Sequence, residues 1–96
     1  MIESNETRLR RLRMRSWRRG MKEMDLILGH FADASLASLD TEALDAYEAM
    51  LSENDQDLYL WVTARVNGGT NRGPADIAPI LDRIAGHAAE RLKPVR

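Results

Sequence analysis

Residues 18–25 read Arg18-Arg19-Gly20-Met21-Lys22-Glu23-Met24-Asp25, and they join an arginine-rich opening segment to an apolar helical pattern. Gly20 has no Cβ, so it can end one helix in a left-handed turn or let another backbone approach closely. It can also be the N-cap of a second helix, with Glu23 as the third helical residue reaching back to the Gly20 N–H in a capping box. The residues alone leave these interpretations open.

Apolar residues recur with helical spacing in five stretches around this segment, and no strand-like alternation is present. The first helix is expected from about residue 5 to residue 18, docked through Leu9, Leu12 and Trp17. The second is expected over residues 21–32, followed by a loop of small residues over 33–38. The prediction is therefore an all-α fold, a small five-helix bundle in a single domain over residues 1–96, with frayed tails at 1–4 and 93–96.

Capping residues indicate where the helices begin and end. Asp40, with Leu39 and Leu44 in the positions of a hydrophobic staple, predicts the start of the third helix. Gly68 and the glycine after it predict the end of the fourth helix. The remaining expected caps are Ser4 or Asn5 for the first helix, Asn54 or Asp55 for the fourth and Asp76 for the fifth.

The residue types argue against several kinds of chemistry. The chain has no Cys, and its two histidines, His30 and His87, lie far apart without partners at metal-ligand spacing. Trp61 and Tyr47 are interpreted as core residues, and Trp61 is expected to be largely buried. No apolar run is as long as a membrane span, and the first residues lack the apolar core of a signal peptide, so a cytoplasmic location is expected.

Charge is distributed unevenly along a chain whose net charge is −1. Residues 1–24 hold seven Arg and one Lys against three Glu, whereas the remainder is acidic. Arg8, Arg11 and Arg15 share one face of the first helix at three-and-four spacing. Three interpretations follow: a surface for nucleic-acid phosphates, a surface that recognises a protein, or a solvated helix face. The acidic remainder and the absence of a recognition helix favour a protein partner over nucleic acid.

Two segments resemble one known family. Arg19-Gly20-x-x-Glu23, followed by Asp25, looks like the RGxxE signature of the succinate dehydrogenase assembly factor 2 family, also called the FAD assembly factor family. The segment 55–61, Asp-Gln-Asp-Leu-Tyr-Leu-Trp, is similar to the acidic and aromatic second segment of that family. The resemblance covers about residues 8 to 92, and members of the family have the same kind of five-helix fold.

The resemblance implies a non-enzymatic maturation factor. Family members bind the flavoprotein subunit of succinate dehydrogenase, or in bacteria that of fumarate reductase, and promote covalent attachment of FAD to a histidine of that subunit. Arg19, Gly20 and Glu23 would then lie at the interface, and Asp25 would contact the partner or support the motif. The partner-binding set expected from the sequence also includes the basic helix face, that is Arg8, Arg11 and Arg15.

Further expectations complete this interpretation. FAD would be held by the partner subunit and not tightly by this chain, which would be a monomer when free. No nucleic-acid or membrane partner is expected. The alternative function is a small helical regulatory module, such as an antitoxin or a nucleic-acid-binding protein.

Overall fold

The structure, a computed structural model, describes residues 3–69 and 72–92. Residue 92 is described by its backbone only. These residues form five α-helices and no strand, which confirms the predicted all-α class. The helices are α1 (Asn5–Trp17), α2 (Lys22–Ser35), α3 (Thr41–Met50), α4 (Asp55–Val66) and α5 (Ala78–Leu92). Two short 3-10 turns, Leu36–Ser38 and Ala75–Ile77, precede α3 and α5.

Helix α2 lies at the centre of the bundle and packs against α1, α4 and α5. Its Met24, Leu28 and Phe31 are buried in one core with Leu12 of α1. Helix α3 packs against α5 and against the second 3-10 turn, Ala75–Ile77. The other large, fully buried side chains come from the first 3-10 turn, α3, α4 and α5: Leu36, Tyr47, Met50, Leu58, Val62, Ile80, Leu81 and Ile84.

Most helix ends follow the predicted capping chemistry. Ser4 caps α1 by accepting from the Thr7 N–H, and the Asp40 carboxylate accepts from the Ala43 N–H at 2.8 Å. The Asn54 side chain caps α4 by accepting from two backbone N–H groups. Gly68, at φ 76°, ends α4, and the Gly69 N–H donates to the Ala64 carbonyl at 2.7 Å in the pattern of a Schellman motif.

Three boundaries differ from the predictions. Helix α2 continues to Ser35, and residues 36–38 form a 3-10 turn in place of the expected loop, because Leu36 is buried and draws the chain into the core. Asp76 lies inside the second 3-10 turn, so it is not the cap of α5. Of the tails expected to fray, residues 1, 2 and 93–96 lie outside the described part of the chain.

Two close contacts hold α1 against α2 and α3. The Trp17 ring covers Gly29, where a Cβ would come within 2.3 Å of the ring. The Ser16 and Tyr47 hydroxyls, both buried, are 2.6 Å apart, and Ser16 donates to the Leu12 carbonyl at 2.8 Å. Burial raises the pKa of Tyr47 to about 12, against the opposing effect of the Ser16 hydrogen bond. The phenol is therefore a neutral link between helices.

Trp61 of α4 packs at the edge of the core and is partly buried, while Leu58 and Val62 of the same helix are fully buried. Its ring lies against Gly73, which has a φ of 102° and no space for a Cβ. Arg65 of α4 holds the same end of the bundle together, since it donates to Asp82 of α5 at 2.7 Å and to the Arg72 carbonyl at 2.7 Å.

Candidate partner-binding site

The Arg19 side chain points into the molecule. Only 10% of it is exposed, and its Nε donates to Asp55 Oδ1 at 2.6 Å. Its two terminal nitrogens donate to the Leu51 and Glu53 carbonyls, at 2.7 and 3.0 Å. The guanidinium therefore joins the α1–α2 turn to the α3–α4 turn, satisfying carbonyls that follow α3. Arg19 lies beside Gly20 of the motif, as expected, but most of its N–H donors already have partners within the chain.

Gly20 adjoins the same carboxylate. Its N–H donates to Asp55 Oδ2 at 2.7 Å, so one aspartate accepts from both Arg19 and Gly20. The capping box is wrong: the N-cap of α2 is Met21, and Glu23 is the second helical residue. The left-handed turn is wrong as well, because Gly20 does not have a positive φ. A Cβ at Gly20 would meet only Asp55 Oδ2, at the ordinary contact distance of 3.4 Å.

Asp25 supports the turn from the first turn of α2. Its Oδ1 accepts a hydrogen bond from the backbone N–H of Arg19. The two aspartates thus accept the N–H groups of two successive residues between α1 and α2. Because a hydrogen bond to a charged acceptor is stronger than a neutral one, this pairing fixes the path of the turn.

Glu23 lies apart from that cluster. Its side chain is exposed, and within the described residues it makes no hydrogen bond or ion pair. It stands at the rim of a groove of about 280 Å³ between α2 and α4, whose walls include Leu26, Tyr59 and Val66. Leu26 is 45% exposed. The structure therefore places one motif residue on an accessible and largely apolar surface.

The arginines of α1 divide into two groups. Arg8 donates to Asp45 at 2.7 Å and to Glu48 at 3.0 Å on α3, and Arg11 binds Glu48 at 2.9 Å and Glu3 at 2.8 Å. The hydrogen bond from Arg11, together with that from Arg8, lowers the pKa of Glu48 below its usual value. Two of the arginines expected to contact a partner are thus used inside the chain.

Arg15 has a different environment from Arg8 and Arg11. It has no carboxylate partner among the described residues, and it lines an open concavity of about 470 Å³ on the outer side of α1, together with Arg10, Arg11, Met14, Arg18 and other residues. The side chains of Arg10 and Arg18 likewise pair with no carboxylate of the described residues. Of the three arginines expected to act together, Arg8 and Arg11 are thus paired within the chain, whereas Arg15 has no carboxylate partner among the described residues.

The histidines pair with aromatic rings. His30 meets Trp17 edge to face at 5.2 Å between ring centroids, and His87 meets Phe31 in the same way at 5.8 Å. Burial lowers the pKa of His87, and Arg91 and His30 lower it further. In residues 3–69 and 72–92 there is no group of three or more His, Cys, Asp or Glu placed to hold a metal ion, and no helix long and apolar enough to cross a membrane.

Two contributors to this region were missed by sequence reasoning. Asp55 was considered only as a cap and as part of a resembling segment, yet it accepts from both Arg19 and Gly20. Ser16 is buried against Tyr47 although it stands in an arginine-rich helix. Its position four residues after Leu12, on the same helix face, was the available signal.

The comparisons with known proteins give a consistent result. The family model described as "Flavinator of succinate dehydrogenase" matches residues 10–88. A protein of Meyerozyma guilliermondii named "Succinate dehydrogenase assembly factor 2, mitochondrial" is 38% identical over 81 residues, 84% of this chain and 53% of its own length. A protein of the same name from Candida glabrata is 46% identical over 61 residues, 64% of this chain and 40% of its own. No solved structure is a significant match.

The length and the names of these relatives bear on two earlier expectations. The matched part of the chain spans between 18% and 53% of the length of these curated relatives. The expected cytoplasmic location is contradicted, because these relatives are named as mitochondrial proteins. That expectation rested on the first residues, and targeting segments are removable sequences outside the fold. The match over residues 10–88 and the resembling motifs agree, and the chain belongs to the Sdh5 family, described as the flavinator of succinate dehydrogenase.

Proposed function

We propose that this chain is an assembly factor that binds the flavoprotein subunit of succinate dehydrogenase, or of fumarate reductase, and promotes covalent FAD attachment there. Family membership supports the general role. The chain contributes no catalytic group in this proposal. It acts by binding one conformation of the partner in which the partner's own groups react with the flavin, which is selection of a state by differential affinity. FAD is held by the partner, and the free chain is a monomer.

The observation that carries the residue assignment is the surface at Gly20 and Glu23. Gly20 is exposed, and a Cβ there would fit at an ordinary distance, so the chain's own packing does not require glycine. Glu23 is exposed and has no partner in the described residues. A small residue and a carboxylate that the fold does not need are well suited to contact a second protein closely. In this proposal Arg19 and Asp25 hold that surface in place.

The test compares substitutions at the motif with matched substitutions elsewhere. Gly20→Arg is paired with Gly86→Arg, because Gly86 lies on the exposed face of α5 with open space around it. Glu23→Gln is paired with Glu42→Gln, because Glu42 is also exposed and also the second residue of its helix. The melting temperature of each variant is measured, and so is covalent flavin on the partner subunit, by in-gel fluorescence in cells that lack the native chain.

The expected result is a loss of flavinylation with Gly20→Arg and Glu23→Gln only, at melting temperatures equal to those of the matched controls. If folded motif variants support full flavinylation, these residues do not belong to the site. If the motif variants melt much lower than their controls, the motif is structural. If deleting the chain leaves flavinylation of the partner unchanged, the proposed function itself is wrong.

A further inference from the structure

Three arginines on the outer face of α1 have no carboxylate partner among the described residues. Arg10, Arg15 and Arg18 make no ion pair with the described residues, whereas Arg8 and Arg11 are bound to α3 and to Glu3. Arg13 also has a carboxylate neighbour, Asp33 at 3.6 Å. Arg11 lines the same concavity as these three arginines but is already paired, so the charge that remains open to a ligand there is that of Arg10, Arg15 and Arg18.

These cations surround an apolar centre. Met14 is 46% exposed and lies one helical turn from both Arg10 and Arg18, in the concavity of about 470 Å³. We call the surface formed by Arg10, Met14, Arg15 and Arg18 the Arg–Met groove. From Arg10 to Arg18 it runs about 12 Å along the helix direction, at 1.5 Å per residue. Arg19 also lines it, so the groove is continuous with the turn that carries Gly20.

We propose that the Arg–Met groove binds an acidic segment of the flavoprotein partner, with carboxylates on either side of an apolar side chain. Arginine forks bind carboxylates with directed hydrogen bonds, and a thioether adapts its shape to an apolar neighbour. This inference rests on the proposed function, because it assigns a second contact to the same partner. It also transfers the expected role of the basic helix from Arg8 and Arg11 to Arg10 and Arg18.

The surroundings favour a carboxylate ligand over a nucleic-acid backbone. Tight phosphate binding uses many cations along an extended path, whereas three open cations span about 12 Å here. The carboxylates of Glu3, Asp33 and Glu48 lie beside other arginines of the same helix, where they would oppose a longer polyanion. Met14 at the centre matches an apolar side chain of a folded protein better than a sugar–phosphate chain.

The experiment measures association of the full chain with the purified flavoprotein subunit from the same genome, by biolayer interferometry at several salt concentrations. Arg10→Gln/Arg18→Gln is compared with Arg83→Gln/Arg91→Gln, which removes the same charge from two exposed positions on α5. The groove pair should reduce the association rate about tenfold and flatten its salt dependence, while the control pair changes neither by more than about twofold. Melting temperatures of both pairs are measured alongside.

Substitution of Met14 identifies the charge of the occupant. Met14→Glu should slow association more than Met14→Lys, because both lose the apolar contact but only Glu adds a like charge beside the carboxylates of the bound segment. Equal losses from Glu and Lys would mean that no carboxylate lies near Met14 and would overturn the proposal, as would equal effects of the two arginine pairs. If unmodified chain does not bind the subunit at all, the proposed function fails first. The choice of a protein ligand would be overturned if the unmodified chain binds labelled DNA or RNA near physiological salt and the Arg10→Gln/Arg18→Gln variant does not.

Discussion

The chain uses arginine–carboxylate pairs in two regions, and their surroundings differ. At the α1–α2 turn, Arg19 and Asp55 are 10% and 17% exposed, and Arg19 also satisfies two backbone carbonyls. Between α1 and α3, Arg8 and Arg11 meet Asp45 and Glu48 in geometry as short, but with 22% to 63% of each side chain exposed. The donor–acceptor distances in the two regions are similar, but the exposed fractions of the side chains differ.

This difference determines what each pair contributes. An exposed pair is screened and adds at most about 1 kcal/mol, because water solvates the charges nearly as well when they separate. A buried pair gives little net gain in its formation but is costly to break, since the remaining charge and carbonyls lose their partners. The α1–α2 turn should therefore depend on Arg19 far more than the α1–α3 contact depends on any one of its charges.

The largest expected effect is from Arg19. Arg19→Ala should lower the free energy of unfolding by about 3 kcal/mol, the lower end of values for a broken buried pair, because Asp55 and two carbonyls lose their donor. Arg19→Lys should recover only part of the loss, since an ammonium cannot reproduce the planar fork. Urea unfolding measures both. Arg13→Ala, which affects an exposed pair, is the control, and a loss as large as that of Arg19→Ala would remove the distinction between the regions.

An intermediate effect is expected from the uncharged link between α1 and α3. Tyr47→Phe should lower the free energy of unfolding by about 1 kcal/mol, because it removes a buried hydroxyl that contacts the Ser16 hydroxyl and the Leu28 carbonyl, while Ser16 keeps its bond to the Leu12 carbonyl. This substitution removes a buried polar contact without changing the charge of the protein. Thermal unfolding at two salt concentrations should give the same difference from the parent protein, and a salt-dependent difference would contradict the interpretation of a neutral link.

The smallest effect is expected from Glu48, and it depends on pH. The pKa of Glu48 is lowered in the fold by the hydrogen bonds from Arg11 and Arg8, so its contribution is present above the ordinary value of 4.5 and is lost as the pH falls through the lowered pKa. Glu48→Gln should cost no more than about 1 kcal/mol near neutral pH. Urea unfolding of the two proteins at about pH 7 and about pH 3 should show this difference closing in acid. A difference that grows in acid would have the wrong sign.

The sequence predicts the helices well where spacing and caps agree. Asp40, Asn54 and Gly68 act locally, through groups two to five residues away, and their roles follow from the order of residues. Leu36 shows the limit, because its neighbours are small residues typical of a loop and only burial against the rest of the core turns the segment into a 3-10 turn.

The candidate site was less predictable than the fold. The RGxxE resemblance predicts a role for the α1–α2 turn, but the contacts of Arg19 and Gly20 depend on Asp55, which is 35 residues or more away. The choice of Arg8, Arg11 and Arg15 as one face was sound geometry for an isolated helix. It could not anticipate that α3 would place Asp45 and Glu48 beside only part of that face.

The same separations bear on how the chain is made. The arginines of α1 leave the ribosome before α3 does, and Glu48, which pairs with Arg8, follows Arg8 by 40 residues. At roughly 5–20 residues per second this interval is roughly 2–8 s. A helix of 13 residues is marginal alone, so α1 stays uncompensated and largely unfolded throughout that time. Helix α1 is thus synthesised before the helix that neutralises part of it, and its positive charge is open to any polyanion nearby until α3 has been added.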